Sequence, residues 1–126
     1  MAKVLIVDDD ELLRDLVRHK LTRAGFEVIE AVDGEQALER LAVEPPDVVV
    51  LDAMMPGIDG FEVLRSIREQ PALANLPVVM LTARDQEEDV LNGLALGAQD
   101  YIVKPFLPDE VVLRIRRLVG PLRQAS

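Results

Sequence analysis

Residues 4–10 read Val4-Leu5-Ile6-Val7-Asp8-Asp9-Asp10, an apolar run that ends in three consecutive acids. The run is apolar at four successive positions, which is typical of a parallel strand whose two faces are both covered. Residues 48–51 and 78–81 are also apolar throughout, and the first of these runs ends in Asp52. The sequence therefore predicts buried parallel strands, two of which end in carboxylates.

Short β-branched runs alternate with longer stretches of helical periodicity along the chain. Strands are predicted at residues 3–8, 27–31, 47–52, 77–82 and 100–104. Helices are predicted at residues 11–24, 34–43, 60–70, 86–96 and 108–119. Five strands that alternate with five helices imply right-handed crossovers and one parallel sheet covered by helices on both faces. The predicted fold class is therefore α/β.

Acidic residues precede several of the predicted helices. Asp10 is predicted to cap the first helix, and Asp33 and Asp59 each have a Gln or Glu three residues later, as in a capping box. We therefore interpret Asp59 as a helix cap and not as part of a second acidic site. His19 lies in the middle of the first predicted helix, and we expect an exposed helix residue there rather than a phosphohistidine.

Composition limits the classes of protein that need be considered. The 126 residues fit one domain, and the 49% of apolar residues exclude wholesale disorder. The chain has no cysteine and a single histidine, which excludes disulfides, thiolate metal sites and histidine-cluster metal sites. Oxygen ligands are therefore the main candidates for any metal site.

The net charge of −9 and the scarcity of aromatic residues argue against nucleic-acid binding through this domain. The longest apolar runs have four or five residues, which is far short of a membrane span. The start of the chain runs directly into the first predicted strand and leaves no room for a secretory leader. We therefore expect a cytoplasmic location and no membrane partner.

Polar side chains stand at four of the five predicted strand ends. In an open parallel sheet, ligands bind beyond the carboxyl ends of the strands. The groups gathered there are Asp8 and Asp9, Asp52, Thr82, and Lys104. Clustered carboxylates without His or Cys favour Mg²⁺ or a similar hard ion. The three acids contribute −3, which Mg²⁺ and Lys104 balance with +3, so that a phosphoryl group of about −1.5 to −2 can be accommodated. A carboxylate at such a site can itself act as a nucleophile and form an aspartyl-phosphate.

The strand-end motifs together resemble those of a known family, the receiver domain of two-component response regulators. The motifs are 4–10 (VLIVDDD), 51–60 (LDAMMPGIDG), 81–83 (LTA) and 100–106 (DYIVKPF). Each motif alone is a weak signal, but all four stand in order and each lies at a strand end. The resemblance runs from Lys3 to about Val119. It implies a flavodoxin-like three-layer α/β/α sandwich with strand order 2-1-3-4-5, a receiver domain over 1–120, and a tail or linker stub over 121–126.

The resemblance also implies roles for individual residues. Asp52 is the expected phosphoacceptor, and Asp8 and Asp9 are the expected acidic pair that holds Mg²⁺ together with Asp52. The backbone carbonyl of Met54 is expected as a further Mg²⁺ ligand. Lys104 is expected to contact the bound phosphoryl group, and the Lys104-Pro105 bond is expected to be cis.

Two further residues are expected to form a switch. Thr82 is expected to contact the phosphoryl group and, as it moves, to let Tyr101 turn inward. The shift would reach the face made by the fourth helix, fifth strand and fifth helix, which partners would read. The resemblance also bears on the lifetime of the phosphoryl group. Met54 lies two positions after Asp52, and Arg84 lies two positions after Thr82. Both are bulky residues at positions that flank the phosphoryl group in this family, so we expect it to be lost slowly.

A receiver of this kind would take its phosphoryl group from a sensor histidine kinase or a phosphotransfer protein. It would catalyse that transfer and the later hydrolysis weakly, without being a metabolic enzyme. Three organisations stay open: a stand-alone receiver, a shuttle in a phosphorelay, and a receiver followed by an output domain beyond residue 126. A homodimer through the fourth-helix to fifth-helix face is a further expectation. Glu110, Asp100 and Arg114 match the charged pairs of such dimers, whereas Val90 and Gln99 depart from them.

Three alternatives bear on this interpretation. One is a receiver that works without phosphorylation, as a protein-interaction module alone. Another is a small Mg²⁺-dependent phosphatase, suggested by Asp8-x-Asp10, although Leu12 stands where those enzymes want Thr or Val. A flavodoxin is disfavoured, because acids after the first strand would repel the FMN phosphate.

Overall fold

The computed structural model describes residues 2–83, 91 and 95–124, and the side chains of the last helix as far as Val119. Five parallel strands form one sheet in the order β2-β1-β3-β4-β5. The strands are β1 Lys3–Val7, β2 Glu27–Ala31, β3 Val48–Asp52, β4 Val78–Ala83 and β5 Asp100–Lys104. This order is that of flavodoxin-like sheets, so the predicted topology is confirmed.

The helices connect the strands and cover both faces of the sheet. They are α1 Glu11–Arg23, α2 Gly34–Val43, α3 Gly60–Glu69 and the C-terminal helix Pro108–Gln124, with a short 3₁₀ turn at Pro71–Leu73. Most of the predicted helix 86–96 lies outside the described residues. The C-terminal helix continues to Gln124 rather than ending at 119, carrying the backbone through Gly120-Pro121, where intrinsic propensity predicts a stop.

Helix starts follow the capping pattern of the sequence. The Asp10 side chain accepts a hydrogen bond from the Leu13 amide, and Asp33 accepts one from the Gln36 amide. Asp59 likewise accepts one from the Glu62 amide at 3.0 Å. These caps satisfy backbone donors that the helix leaves unpaired, and they confirm Asp59 as a cap.

Two apolar layers make the core. One layer packs α2 and α3 against one face of the sheet, through residues such as Leu41, Leu64 and Ile67. The other packs α1 and the C-terminal helix against the opposite face, through Leu21 and Ile115. All five residues of β3 are buried, as the apolar run predicts for a central strand covered on both sides. The result is a three-layer α/β/α sandwich.

The sheet has one point where the chain reverses its direction of travel, between β1 and β3. From β1 the chain crosses to β2 on one side, then returns past β1 to β3 and continues to β5 on the other. Loops after β1 and β3 therefore turn away from each other and leave a crevice at the carboxyl ends of these strands. Asp8 follows β1 and Asp52 ends β3, so both acids flank that crevice. Among the described helices, none is long and apolar enough to cross a membrane.

Candidate functional site

Carboxylates from two neighbouring strands and a lysine from the edge strand meet at this crevice. Carboxylate oxygens of Asp8, Asp9 and Asp52 all lie within 4.8 Å of one another. The Lys104 ammonium Nζ lies 3.2 Å from Asp8 Oδ2 and 3.3 Å from Asp52 Oδ2. The structure thus brings together four of the side chains that the sequence predicts for the site.

The members of the acidic cluster differ in exposure. Asp8 and Asp52 are buried, with 0% and 4% of their surfaces exposed, whereas Asp9 is exposed at the mouth of the crevice. Asp8 Oδ1 accepts a hydrogen bond from the Asp10 amide at 2.9 Å, and Asp52 Oδ1 accepts one from the Met54 amide at 3.1 Å. Each buried carboxylate therefore has one oxygen bonded to backbone and the other directed to Lys104.

The electrostatics of the cluster favour a cation. Burial and the neighbouring Asp8 carboxylate raise the pKa of Asp52 to about 6, against the opposing effects of the Met54 amide and Lys104. Burial lowers the pKa of Lys104, but the carboxylates of Asp52 and Asp8 outweigh it and raise that pKa overall. One lysine is thus shared by two acids, and the cluster keeps an excess of negative charge.

Thr82 gives a second sign that this crevice takes a ligand. The residue is 1% exposed, near the end of β4, and its Oγ1 is the one buried side-chain polar atom without a hydrogen-bond partner in the described part of the chain. A buried hydroxyl without a partner is costly, so such atoms commonly bond to water, an ion or a ligand. The donor set of three carboxylates and one hydroxyl suits Mg²⁺ and a phosphoryl oxygen.

The start of α3 packs tightly under Asp52. The Gly60 amide donates to the Ala53 carbonyl at 3.1 Å. A Cβ at Gly60 would collide with the backbone oxygen of Asp52. Only glycine permits so close an approach, and the approach fixes the backbone from which the Asp52 side chain projects.

The remaining predicted site residues lie at the edges of the cluster. The Met54 amide donates to Asp52, and the residue is 62% exposed. Tyr101 is half-buried and packs against the apolar layer that includes α3. The Lys104-Pro105 peptide is cis, as predicted. Arg84 lies outside the described residues, and His19 is exposed on α1, as predicted.

The charged residues predicted for a dimer contact have partners within the chain. Arg114 donates to Asp100 Oδ1 at 2.6 Å and to Glu110 Oε2 at 3.4 Å. Gln99 is exposed, and its Oε1 accepts hydrogen bonds from Arg68 and from the Val78 amide. Val90 lies outside the described residues.

Sequence reasoning missed one residue next to the acidic cluster. Arg14, in the first turns of α1, donates from Nη1 to the Asp8 carbonyl oxygen at 2.8 Å and from Nε to Glu30 Oε1 at 3.2 Å. In the sequence, Arg14 is one of several charges on an amphipathic helix. The available signal was its position near the helix N-terminus. A cation there interacts unfavourably with the helix dipole, which indicates that another interaction holds it.

Comparison with known proteins adds independent evidence. The chain is 46% identical over 117 residues to the alkaline phosphatase synthesis transcriptional regulatory protein PhoP of Bacillus subtilis, a match that covers 93% of this chain and 48% of that protein. It is 41% identical over 119 residues to the phosphate regulon transcriptional regulatory protein PhoB of Rhizobium meliloti, with coverage of 94% and 52%. The chain thus spans about half the length of these curated relatives.

Solved structures have the same fold. The chemotaxis response regulator CheY4 of Vibrio cholerae superposes with a TM-score of 0.88 at 39% identity, covering 94% of this chain and 98% of that one. The receiver domain of the Francisella response regulator 1452 gives 0.88 at 35% identity, with coverage of 97% and 99%. A family model, the response regulator receiver domain, matches residues 4–116. With the motifs, the strand order and the strand-end cluster in agreement, the chain belongs to the response regulator receiver domain family.

Proposed function

We propose that this domain accepts a phosphoryl group on Asp52 from a phosphohistidine of a sensor histidine kinase or a phosphotransfer protein. The observation that carries the proposal is the buried Asp52 carboxylate, held between Asp8 and Lys104 at the switch point of the sheet. An Asp52 carboxylate oxygen attacks phosphorus, the nitrogen–phosphorus bond breaks, and the electron pair returns to the imidazole, which takes up a proton. The product is an aspartyl-phosphate.

The acidic cluster would hold Mg²⁺ through Asp8, Asp9 and Asp52, with the Met54 carbonyl as a further ligand. Their carboxylate oxygens lie close enough together to share one ion, and the set contains only the oxygen ligands that Mg²⁺ prefers. When bound, the ion neutralises negative charge on the carboxylates and on the transferred phosphoryl oxygens. Without such a cation, an incoming phosphoryl group would meet the excess negative charge of the cluster.

Lys104 and Thr82 would contact the phosphoryl group itself. Lys104 already bridges two acids, so it can exchange one carboxylate partner for a phosphoryl oxygen with little movement. The Thr82 hydroxyl, which lacks a partner in the described part of the chain, would gain one. Thr82 would thus add a charge-assisted hydrogen bond in the phosphorylated form, while Lys104 would keep a charged partner there.

Phosphorylation would bias an equilibrium between two arrangements of the domain. Movement of Thr82 toward the phosphoryl group would let Tyr101, which is half-buried on the neighbouring strand, turn inward. The change would reach β5 and the C-terminal helix and, through them, the face that includes the predicted helix 86–96. Histidine kinases, output domains or a second copy of the chain would read that face.

The same residues would also catalyse, weakly, the hydrolysis of the aspartyl-phosphate. Water would have to reach phosphorus past the residues two positions after Asp52 and Thr82, which are Met54 and Arg84. The bulky side chain of the exposed Met54 would obstruct that approach. We therefore propose slower loss of the phosphoryl group than in receivers with small or polar residues at these positions, so that a lifetime of seconds would contradict this part of the proposal.

We extend the proposal to the organisation of the whole protein. The two curated relatives are transcriptional regulators about twice as long as this chain. An output domain after residue 126, joined through residues 121–126 to the receiver domain of 1–120, would give this chain the same organisation. Such a regulator would work in the cytoplasm. Its output domain, and not this acidic domain, would contact nucleic acid.

Intact mass measured after incubation with acetyl phosphate tests the proposal. We expect one added phosphoryl group in the wild-type chain with Mg²⁺, and none with a chelator or in Asp52→Asn. Asp59→Asn is the matched control, because Asp59 is an acid at a helix cap outside the cluster. A folded, Mg²⁺-binding wild type that gains no phosphoryl group would contradict phosphotransfer and favour the phosphorylation-independent interaction module.

A further inference from the structure

We infer that Arg14 is a positioning residue for the metal site, because it orients the peptide that carries Asp9. The inference rests on the proposed function. In the described part of the chain, Arg14 itself makes no hydrogen bond to the carboxylates of Asp8, Asp9 or Asp52. Arg14 Nη1 donates to the Asp8 carbonyl oxygen at 2.8 Å, and its side chain is only 12% exposed. A guanidinium that is largely removed from water gives a strong, directed bond to a carbonyl.

That carbonyl belongs to the peptide unit that joins Asp8 to Asp9. The peptide is planar, so an anchor on its oxygen sets the orientation of the unit from which Asp9 begins. The next peptide is anchored as well, because the Asp10 amide donates to Asp8 Oδ1 at 2.9 Å. The backbone of Asp9 is therefore held on both sides.

The Asp9 carboxylate needs this support more than its neighbours do. Asp9 is exposed, whereas Asp8 and Asp52 are buried. Each of the two buried carboxylates accepts a hydrogen bond from a backbone amide and forms an ion pair with Lys104. No hydrogen bond to the Asp9 carboxylate is present within residues 2–83, 91 and 95–124. Its direction thus depends on the backbone that carries it, and Arg14 sets one side of that backbone.

Arg14 is itself held in place by β2. Glu30 accepts a hydrogen bond from Arg14 Nε at 3.2 Å and lies 3.4 Å from Arg18 Nε. Glu30 thus fixes the guanidinium plane, which lets Nη1 point at the Asp8 carbonyl. Arg18 offers a natural control, since it shares the Glu30 partner but is 45% exposed and pairs with acids rather than with the loop after β1.

Electrostatics alone makes the opposite prediction for Arg14. A cation beside an acidic cluster repels Mg²⁺, so removal of its charge would tighten metal binding. If Arg14 instead positions Asp9, its loss weakens binding, as is usual when a group that orients a metal ligand is removed, by about 10-fold or more. The sign of the change therefore separates the two effects.

The test is an Mg²⁺ titration of the metal-free 126-residue chain, followed by amide NMR shifts that report both the fold and the dissociation constant. We expect Arg14→Gln to bind Mg²⁺ about 10-fold more weakly than wild type. Arg18→Gln is expected to stay within about 2-fold, since it removes the same charge from the same helix. If Arg14→Gln does not fold, Arg14→Lys takes its place. A lysine keeps the charge but lacks the planar guanidinium that bonds to Glu30 and to the Asp8 carbonyl together, so we expect it to weaken binding about 3-fold.

The outcomes separate this inference from the proposed function. Arg14 variants that bind Mg²⁺ as tightly as wild type, or more tightly, would overturn the positioning role while leaving the metal site intact. An equal loss in Arg18→Gln would also overturn it, because the effect would then follow charge or helix stability. A wild-type chain without Mg²⁺-dependent shifts would instead overturn the metal site itself.

Discussion

At Asp52 a carboxylate almost wholly removed from water lies beside a second buried carboxylate. Lys104 compensates both acids with one charge, at 3.2 Å from Asp8 and 3.3 Å from Asp52. In this arrangement the Asp52 anion is less stable than an aspartate anion in water, so the pKa of Asp52 rises to about 6. A bound cation, or a covalent change at Asp52, would relieve this electrostatic penalty at neutral pH.

Neutralising Asp52 should stabilise the metal-free protein, and increasingly so as pH rises. The pKa of Asp52 is about 6 in the folded chain, against the ordinary aspartate value of 3.8 that the unfolded chain recovers. The folded state therefore binds the proton more tightly and loses stability between these two values as pH increases. Asp52→Asn removes that loss and keeps the oxygen that accepts from the Met54 amide. We expect the advantage of the variant in unfolding free energy to grow by on the order of 2 kcal/mol between about pH 4.5 and about pH 7.5.

Urea unfolding in chelator-treated buffer measures this difference at both pH values. A constant difference would mean that Asp52 is no less stable as an anion in the fold than in the unfolded chain. Repeating the series with Mg²⁺ should shrink or reverse the advantage, because the ion stabilises the folded wild type by mass action.

At the scale of elements, α3 connects Asp52, the proposed phosphoacceptor, to the segment before β5. It begins at Gly60, under the backbone of Asp52, and near its end Arg68 reaches across to the segment before β5. Arg68 donates to the Gly97 carbonyl at 2.6 and 3.2 Å and to the Leu76 carbonyl at 2.8 Å. Burial lowers the pKa of Arg68, whose hydrogen-bond partners are backbone carbonyls and the Gln99 amide oxygen rather than carboxylates.

Replacing Arg68 should loosen this connection. Arg68→Leu leaves the half-buried carbonyls of Gly97 and Leu76 without that donor, and we expect a loss of about 2–3 kcal/mol in unfolding free energy. Arg65→Leu, an exposed arginine on the same helix, is the matched control and should change it by less than about 0.5 kcal/mol. Urea unfolding of both variants at one pH decides the matter, and equal effects would show that Arg68 contributes no more than a surface charge.

The elements themselves were largely predictable, and their long-range contacts were not. Strand bounds agree with prediction within about one residue, because apolar runs bounded by acids and capping residues are local signals. The strand-end rule likewise gathered Asp8, Asp52 and Lys104 from distant parts of the chain. Arg14 and Arg68 escaped prediction because their partners are set by tertiary packing, and a charged residue on a helix gives the same pattern whether it is solvated or bonded.

At the scale of the whole molecule, two apolar layers cover the faces of the sheet, and its carboxyl edge carries the acidic cluster. Asp8 and Asp52 come from the two strands at the switch point, and Lys104 comes from the edge strand next to the C-terminal helix. A change at Asp52 therefore has a short route, through β4 and β5, to the face that carries Arg114. This organisation is compatible with the proposed signalling role, in which another protein surface would read the state of Asp52.

That face should leave the unphosphorylated chain monomeric. Arg114 is engaged by Asp100 at 2.6 Å and by Glu110 at 3.4 Å within its own chain, and Gln99 is engaged by Arg68. A dimer contact must compete with these bonds, and two copies that each carry a net charge of −9 repel each other. Light scattering at about 50 µM protein and about 0.15 M salt, without phosphodonor, should give the monomer mass of 14.0 kDa. Twice that mass, lost in Arg114→Ala, would show that the face already pairs across copies before any phosphoryl group arrives.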